Sequence, residues 1–248
     1  MSEESNGLDV LGIKPIGESA KIITKGGVDG ASALLSRICL PAAKEIGLLF
    51  ADHVKAWRAE HAIKIANKAQ ALLEKQSENS VTAHPRIIYL TFEKGSLSED
   101  DLVQDFWAGL LASSCTPDGK DESNLLFINI LAQLTTNQVK LINYIGETAT
   151  VFKGTGGWIH ADNLIIEANY LQEITGIHDL HQLDRELDHL RSLELIREGF
   201  HPDSCSLADI TPSSFCLQLY VRSQGYVGSP IDYFGATEKS AQVELVSA

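Results

Sequence analysis

The sequence predicts a mostly α-helical protein, with long amphipathic helices near the N-terminus, a central helical bundle and a C-terminal winged-helix-like module that carries a small β-wing. Apolar residues recur at helical spacing over residues 31–75 and again over 97–147. From Thr135 onward the patterns read helix, helix, helix, strand, turn, strand and helix, which is the order of a winged helix. We therefore divide the chain into a glycine-rich lead-in (1–30), a helical domain (31–150), a winged-helix-like module (151–225) and a tail (226–248).

The length, the net charge and the cysteine content limit the classes of protein to which the chain can belong. The chain has 248 residues and a formal net charge of −13, which argues against binding nucleic acid through its phosphates, although a local basic patch would override this. The four cysteines are scattered, as in a reducing compartment. The acidic N-terminus is unlike a signal peptide, and no apolar run reaches the roughly 18 residues of a membrane span. We expect a cytoplasmic protein.

The segment Ala31–Lys75 is the longest amphipathic pattern. Pro41 should kink it or begin a new helix. Its polar side is locally rich in basic residues, although the protein as a whole is acidic. This asymmetry allows two interpretations, an ordinary packed helix with a solvated charged face, or a surface for self-assembly or contact with an anionic membrane. The residues on which the second interpretation depends are Arg37, Lys44, Lys55, Trp57 and Arg58.

The central bundle follows a polar linker. IIYLTF, residues 87–92, reads either as a short strand or as the start of a buried helix. Ser98 is the expected N-cap of the next helix, which Pro117–Gly119 should end. Another helix begins near Leu125, and Thr135, with Gln138 in the capping-box position, should start a third.

The C-terminal third begins at a glycine-rich joint, residues 154–157, which lacks the lysine of a phosphate-binding P-loop and is expected to be flexible. Asp162 should cap a helix that Gly176 ends, and a helix should then run from about His178 to Ser192. LELIREGF, residues 193–200, alternates like a strand. Thr211 with proline next to it should open the closing helix.

Candidate catalytic groups are sparse. His178, His181 and Asp184 are the densest set of metal-ligand types, but they do not form an HExxH motif. No GxSxG motif occurs. The helix that contains these residues occupies the position where a DNA-binding winged helix needs basic side chains, yet acids outnumber arginines there. We therefore expect neither an enzyme nor a cofactor.

Several motifs together resemble the Abi-alpha family of bacterial proteins. They are KPIGE at 14–18, WRAEHAIKIANKAQALLEK at 57–75, and FWAGLLASS at 106–114 followed by the helix pair of 128–145. Leu190–Ile196 and Ile210–Pro212 are similar to a C-terminal pattern of the family, although Glu194 stands in place of a glycine. The resemblance spans Leu8 to about Gln224 and implies abortive infection, a defence against bacteriophage. It brings no catalytic residues.

We therefore expect a non-enzymatic defence protein, an effector or a sensor of infection, that acts through the segment Ala31–Lys75. Its expected partners are a second copy, another protein of a defence system, or the inner membrane by peripheral contact. Two alternatives stay open, a winged-helix DNA-binding regulator and a metal-dependent hydrolase or nuclease that uses His178, His181 and Asp184.

Overall fold

The computed structural model of the chain describes residues 55–76, 81–201 and 204–236. Within these ranges the protein is mostly helical with small antiparallel sheets, as the sequence predicts. The glycine-rich lead-in and most of the first amphipathic segment, including Arg37 and Lys44, lie outside the described residues.

Nine helices form in the described part of the chain. They are α1 (Lys55–Lys75), α2 (Pro85–Gly95), α3 (Asp101–Ser113), α4 (Leu125–Leu131), α5 (Thr136–Thr148), α6 (Ala168–Thr175), α7 (Leu180–Ser192), α8 (Ser214–Ser223) and α9 (Pro230–Phe234).

Seven short strands form three antiparallel sheets in the same part. They are β1 (Thr82–Ala83), β2 (Cys115–Thr116), β3 (Val151–Lys153), β4 (Ile159–Ala161), β5 (Ile165–Glu167), β6 (Gly199–His201) and β7 (Ser204–Asp209). β1 pairs with β2 and β3 with β4, and the third sheet has the order β5-β7-β6.

The contacts divide the chain into two compact units. The first unit contains the described residues up to Val139 together with Arg222–Val227, and the second contains Lys140–Val221 together with the described residues from Gly228. The division after Val139 falls within α5, whereas the sequence predicts a domain boundary after residue 150.

The core of the first unit forms where α1 packs against α3. Ile65 and Ala66 of α1 and Phe106 and Leu110 of α3 are fully buried. Burying one large apolar side chain contributes about 1.5–3 kcal/mol, so this contact is a principal source of the unit's stability. The apolar stripes read from the sequence are confirmed as the packed faces of these two helices.

The ambiguous segment IIYLTF lies within helix α2. Pro85 occupies the start of the helix, where its missing N–H costs nothing, and the Nδ1 atom of His84 accepts a hydrogen bond from the Arg86 amide at 3.2 Å. Ile88 and Phe92 are buried one helical turn apart. Periodicity alone left this segment open, because a short apolar run fits a buried strand equally well.

The predicted cap of α3 is wrong. The helix begins at Asp101, and the carboxylate of Asp100, not the hydroxyl of Ser98, accepts hydrogen bonds from the Leu102 and Val103 amides at 3.0 and 3.2 Å. The amide of Ser98 instead donates to the carbonyl of Gly95 at 2.9 Å, so Ser98 belongs to the turn that closes α2.

The predicted cap of α5 is confirmed. The backbone N–H of Gln138 donates to the Thr135 hydroxyl at 3.2 Å, and the backbone N–H of Thr135 donates to the side-chain Oε1 of Gln138 at 3.0 Å. This reciprocal pair is the capping box that the sequence predicts.

The second unit departs from the prediction at several element boundaries. The expected flexible joint at 154–157 is the turn that connects β3 to β4. Asp162 does not cap a helix, since β5 follows it and α6 begins only at Ala168. Residues 193–198 of the segment LELIREGF form no strand and make a single bridge from Ile196 to Pro212, and only its last two residues, Gly199 and Phe200, lie in a strand, β6.

Glycine and serine residues end or cap helices of the second unit. Gly176 ends α6 in the left-handed conformation, with φ of 73°, as predicted. The closing helix α8 begins at Ser214, and the hydroxyl of Ser213, rather than that of Thr211, accepts a hydrogen bond from the Cys216 amide at 3.1 Å. Beyond residue 226, where the sequence predicts no element, α9 places Phe234 against the ring of Tyr220.

Candidate interaction surface

The described part of the predicted surface is the N-terminal end of α1. Lys55 is the first residue of the helix, and its side chain lies outside the described atoms. Trp57 and Arg58 are both half-buried and face the segment that joins α2 to α3. The structure therefore brings two of the five predicted residues together with partners that the sequence did not indicate.

Trp57 uses both ends of its side chain. Its indole Nε1 donates to the Glu99 carboxylate at 2.9 Å, and its ring packs edge-on against the imidazole of His61, with ring centroids 4.6 Å apart. His61 is buried, and its Nδ1 lies 3.4 Å from the carbonyl oxygen of Ser96. These contacts hold the indole in one orientation at the protein surface.

Arg58 joins α1 to the C-terminal end of α2. Its Nε donates to the hydroxyl of Ser96 at 3.1 Å, and one Nη atom donates to the carbonyl of Glu93 at 3.2 Å. A cation at a helix C-terminus is favoured by the helix dipole and satisfies carbonyls that have no partner within the helix. Arg58 therefore has a structural role in the first unit.

An open cleft lies beside Trp57. Its volume is about 570 Å³, and it is lined by Trp57, Leu97, Ser98, Glu99, Asp100, Val103, Leu134 and Thr136. The cleft thus combines an indole, two carboxylates and aliphatic side chains, and the lining residues within 55–76, 81–201 and 204–236 include no basic one. Glu99 is exposed, and Asp100 is half-buried because its carboxylate also caps α3.

The sequence did not indicate Ser96, Glu99 and Asp100 as neighbours of the interaction residues. Asp100 caps α3, and Glu99 accepts the hydrogen bond from the Trp57 indole. Because the hydrogen bond from Trp57 to Glu99 spans 42 residues, no local pattern could have indicated it.

The comparison with protein families decides what the chain is related to. A family model described as "Abortive infection alpha" matches residues 60–209, which is more than half of the chain. The protein belongs to the Abortive infection alpha family. No curated protein and no solved structure matches it. Membership suggests a role in abortive infection, the defence against bacteriophage for which the family is named.

The Abortive infection alpha match is narrower than the resemblance described above. It includes the LLASS segment of α3 and the helices α4 and α5, but KPIGE, Trp57 and Arg58 precede it, and Ile210–Pro212 follow it. Within the match, Ser113 and Ser114 of LLASS are buried and bonded to the amide of Asn124 at 2.8 and 2.9 Å. These motif residues therefore serve packing.

The histidine-rich helix of this Abortive infection alpha protein is α7 with its preceding loop. His178 and His181 are exposed and Asp184 is half-buried. The carboxylate of Asp179 accepts a hydrogen bond from the His181 amide at 2.9 Å, so it caps the helix. Among the described residues, no three side chains of the histidine, cysteine, aspartate or glutamate type are grouped as they would be to hold a metal ion.

On α7, Arg191 pairs with Asp188 at 2.7 Å, which neutralises one of its few basic groups. No helix in the described part of the chain has both the length and the apolar character needed to cross a membrane.

Proposed function

We propose that the protein acts in abortive infection without catalysing a reaction, as an effector or sensor that works by assembling with protein partners. Family membership supports the defence role. The assembly mechanism is supported mainly by the two faces of α1, because its apolar face is buried within the protein and its charged face is exposed. The predicted working surface is the segment Ala31–Lys75, with Arg37, Lys44, Lys55, Trp57 and Arg58 as its interaction residues.

The described part of α1 has its apolar face in the protein core. Ala62 is 3% exposed, and Ile65 and Ala69 are fully buried. A peripheral membrane helix would need such a face for the bilayer. The outward face of α1 is charged. On it, the ammonium group of Lys64 pairs with the carboxylate of Glu60 at 3.1 Å. This arrangement favours contact with a protein over insertion into the inner membrane.

Exposed apolar side chains give further support to a binding role. Trp158, in the turn between β3 and β4, is 71% exposed, and Leu97, at the rim of the cleft, is 55% exposed. Leu97 lies with Trp57, Val103 and Leu134 along the cleft, and apolar side chains grouped among polar neighbours are typical of protein interaction sites, whereas a single exposed group such as Trp158 is not.

We further propose that the second unit contains a winged-helix-like module used for protein contacts. The chain order α5, β3, β4, β5, α6, α7, β6, β7, in which the β3–β4 hairpin is an insertion between α5 and β5, and the strand order β5-β7-β6 support this interpretation. Its α7 has Asp179, Asp184, Glu186 and Asp188 against Arg185 and Arg191, a balance that disfavours DNA binding.

The test is a charge reversal at two of the predicted interaction residues, Lys44 and Lys55. Lys44→Glu and Lys55→Glu together should weaken self-association or partner binding in sedimentation, and should increase plaque counts when bacteria that carry the gene are infected with phage. Lys94→Glu combined with Lys120→Glu, at two exposed positions outside the segment, is the control because it changes the net charge by the same amount. The proposal fails if the double variant, with an unchanged melting temperature, assembles and protects as the wild type does.

Membrane contact is tested with the same variants. Vesicles of phosphatidylglycerol should not co-sediment the wild-type protein more than vesicles of phosphatidylcholine do. Binding to the anionic vesicles that Lys44→Glu and Lys55→Glu abolish would replace assembly with the membrane as the target.

A further inference from the structure

We infer that the cleft beside Trp57 binds the guanidinium or ammonium group of an arginine or lysine side chain on a partner protein. The inference depends on the proposed function in one respect, namely that the occupant is a protein. The preference for a cation is argued from the cleft itself.

The charges of the cleft favour a cation. Glu99 and Asp100 are consecutive acids on its wall, and none of the described residues that line it is a lysine or an arginine. Each carboxylate has only part of its accepting capacity in use, Glu99 towards the Trp57 indole and Asp100 towards two backbone amides. A carboxylate has about four lone-pair sites, so both can accept further hydrogen bonds from an occupant.

The aromatic wall favours the same chemistry. The indole of Trp57 is held by Glu99 on its edge and by His61 at 4.6 Å. A cation near the face of tryptophan is attracted by the ring quadrupole, and tryptophan is the best of the aromatic residues in this respect. Guanidinium groups also stack on aromatic faces while bonding to carboxylates, so arginine suits both walls.

A buried acceptor behind the wall lacks a donor. Gln104 is fully buried, and its Nε2 donates to the carbonyls of Ser98 at 2.8 Å and Glu99 at 3.4 Å, both of which belong to residues of the cleft. Its Oε1 has no hydrogen-bond partner within the described part of the chain. Buried acceptors are rarely left unpaired. Gln104 does not itself line the cleft, and its Nε2 bonds fix the backbone of Ser98 and Glu99 at the wall.

The openness of the site favours a side chain over a small molecule. Leu97 is 55% exposed and Glu99 is also exposed, so a small ligand would keep much of its surface in water. Small-molecule sites usually enclose most of their ligand. A partner protein would insert only the tip of a basic side chain and would rest its apolar surface on Leu97 and Leu134 at the rim.

The experiment uses full-length ¹⁵N-labelled protein and follows its tryptophan indole signals, each assigned by a single Trp→Phe substitution. The probe is a blocked hexapeptide that contains two arginines, and the control peptide has neutral citrulline at both positions. The Trp57 signal should shift with the arginine peptide and not with the citrulline peptide. Glu99→Gln keeps an acceptor for the indole but removes the charge, and it should weaken binding about tenfold, whereas Glu173→Gln on α6 should not.

Three results would overturn the inference: no shift of the Trp57 signal by the arginine peptide, an equal shift by the citrulline peptide, or unchanged affinity in Glu99→Gln. Agmatine, a free guanidinium compound, is titrated in parallel, and affinity equal to that of the peptide would overturn the assignment to a protein side chain. Because the titration uses no phage, its outcome is independent of the plaque assay, and either proposal can fail while the other stands.

Discussion

Gly109 of α3 lies against the main chain of Ser223, so close that a Cβ atom on Gly109 would overlap the carbonyl group of Ser223. The hydroxyl of Ser113, one helical turn further on, donates to the Arg222 carbonyl at 2.9 Å. Gln76 reinforces the contact by donating to the Gly225 carbonyl at 2.6 Å. The segment Arg222–Val227 is thereby held on the first unit, and the missing side chain at residue 109 makes this contact possible.

Gly109→Ala should therefore destabilise the protein, although alanine is the better helix former. The clash is with backbone rather than with a flexible side chain, and overpacking of this kind costs about 1–3 kcal/mol or more. Urea unfolding measures the effect. The control is Ala71→Gly at an exposed position of α1, which should cost about 1 kcal/mol through helix propensity alone. If Gly109→Ala raises the free energy of unfolding instead, the segment does not pack here.

Asn124→Ala should lower the free energy of unfolding by about 1–3 kcal/mol. The buried amide of Asn124 donates to the hydroxyls of Ser113 and Ser114 and to the carbonyl of Leu110, at 2.8, 2.9 and 3.2 Å. Its removal leaves these acceptors with fewer donors in a site closed to water. Thermal and urea unfolding test this against Asn129→Ala, an exposed position of α4. Equal effects of the two substitutions would contradict a structural role for the Asn124 amide.

Asp100→Ala should lower the free energy of unfolding by about 1 kcal/mol, within the usual range of about 0.5–2 kcal/mol for a lost N-cap. Asp100→Asn should leave the free energy of unfolding nearly unchanged, because asparagine caps a helix equally well. Ser98→Ala, at the position that the sequence favoured, should have a smaller effect. The measurement is the midpoint of urea unfolding, compared between variants whose free energy of unfolding depends equally steeply on urea concentration. A larger loss for Ser98→Ala than for Asp100→Ala would restore the predicted cap.

The caps show what local sequence can and cannot predict. Thr135 and Gln138 form the predicted box because both partners lie within one turn. At the start of α3, Ser98, Asp100 and Asp101 are all acceptable caps, and the choice depends on where the turn after α2 ends, which the amide of Ser98 settles by donating to Gly95. Which of several adjacent residues caps a helix therefore depends on the neighbouring element and not on the chemistry of those residues.

Long-range contacts limited the prediction of the site. The composition of α1 indicated Trp57 and Arg58, but their partners Glu99 and Ser96 lie 42 and 38 residues away along the chain. The strand β5 was missed because its pairing with β7 joins Ile166 to Ala208, and its three residues have too little alternation to be read locally. Apolar periodicity predicted the packed faces well, since it depends on neighbours within the same helix.

The buried thiol of Cys216 should make the protein less stable in alkaline solution. Burial raises the pKa of the Cys216 thiol to about 12, whereas a thiol in the unfolded chain ionises near about 8.5. Its contribution to stability is therefore complete below pH of about 8.5 and is lost as the pH rises towards the folded-state pKa. Each pH unit in this window should lower the free energy of unfolding by about 1.4 kcal/mol.

Comparison of the wild type with Cys216→Ala isolates this effect from other groups that titrate at high pH. One such group is Tyr220, whose phenol pKa is raised by burial and by Tyr233 in both proteins. The variant should be less stable near neutral pH because it loses buried volume, but its stability should fall less steeply with pH, so the difference between the two proteins should shrink as pH rises from about 8.5 to 11. Urea unfolding over this range measures the difference, and parallel curves would mean that the Cys216 thiol ionises equally in the folded and unfolded states.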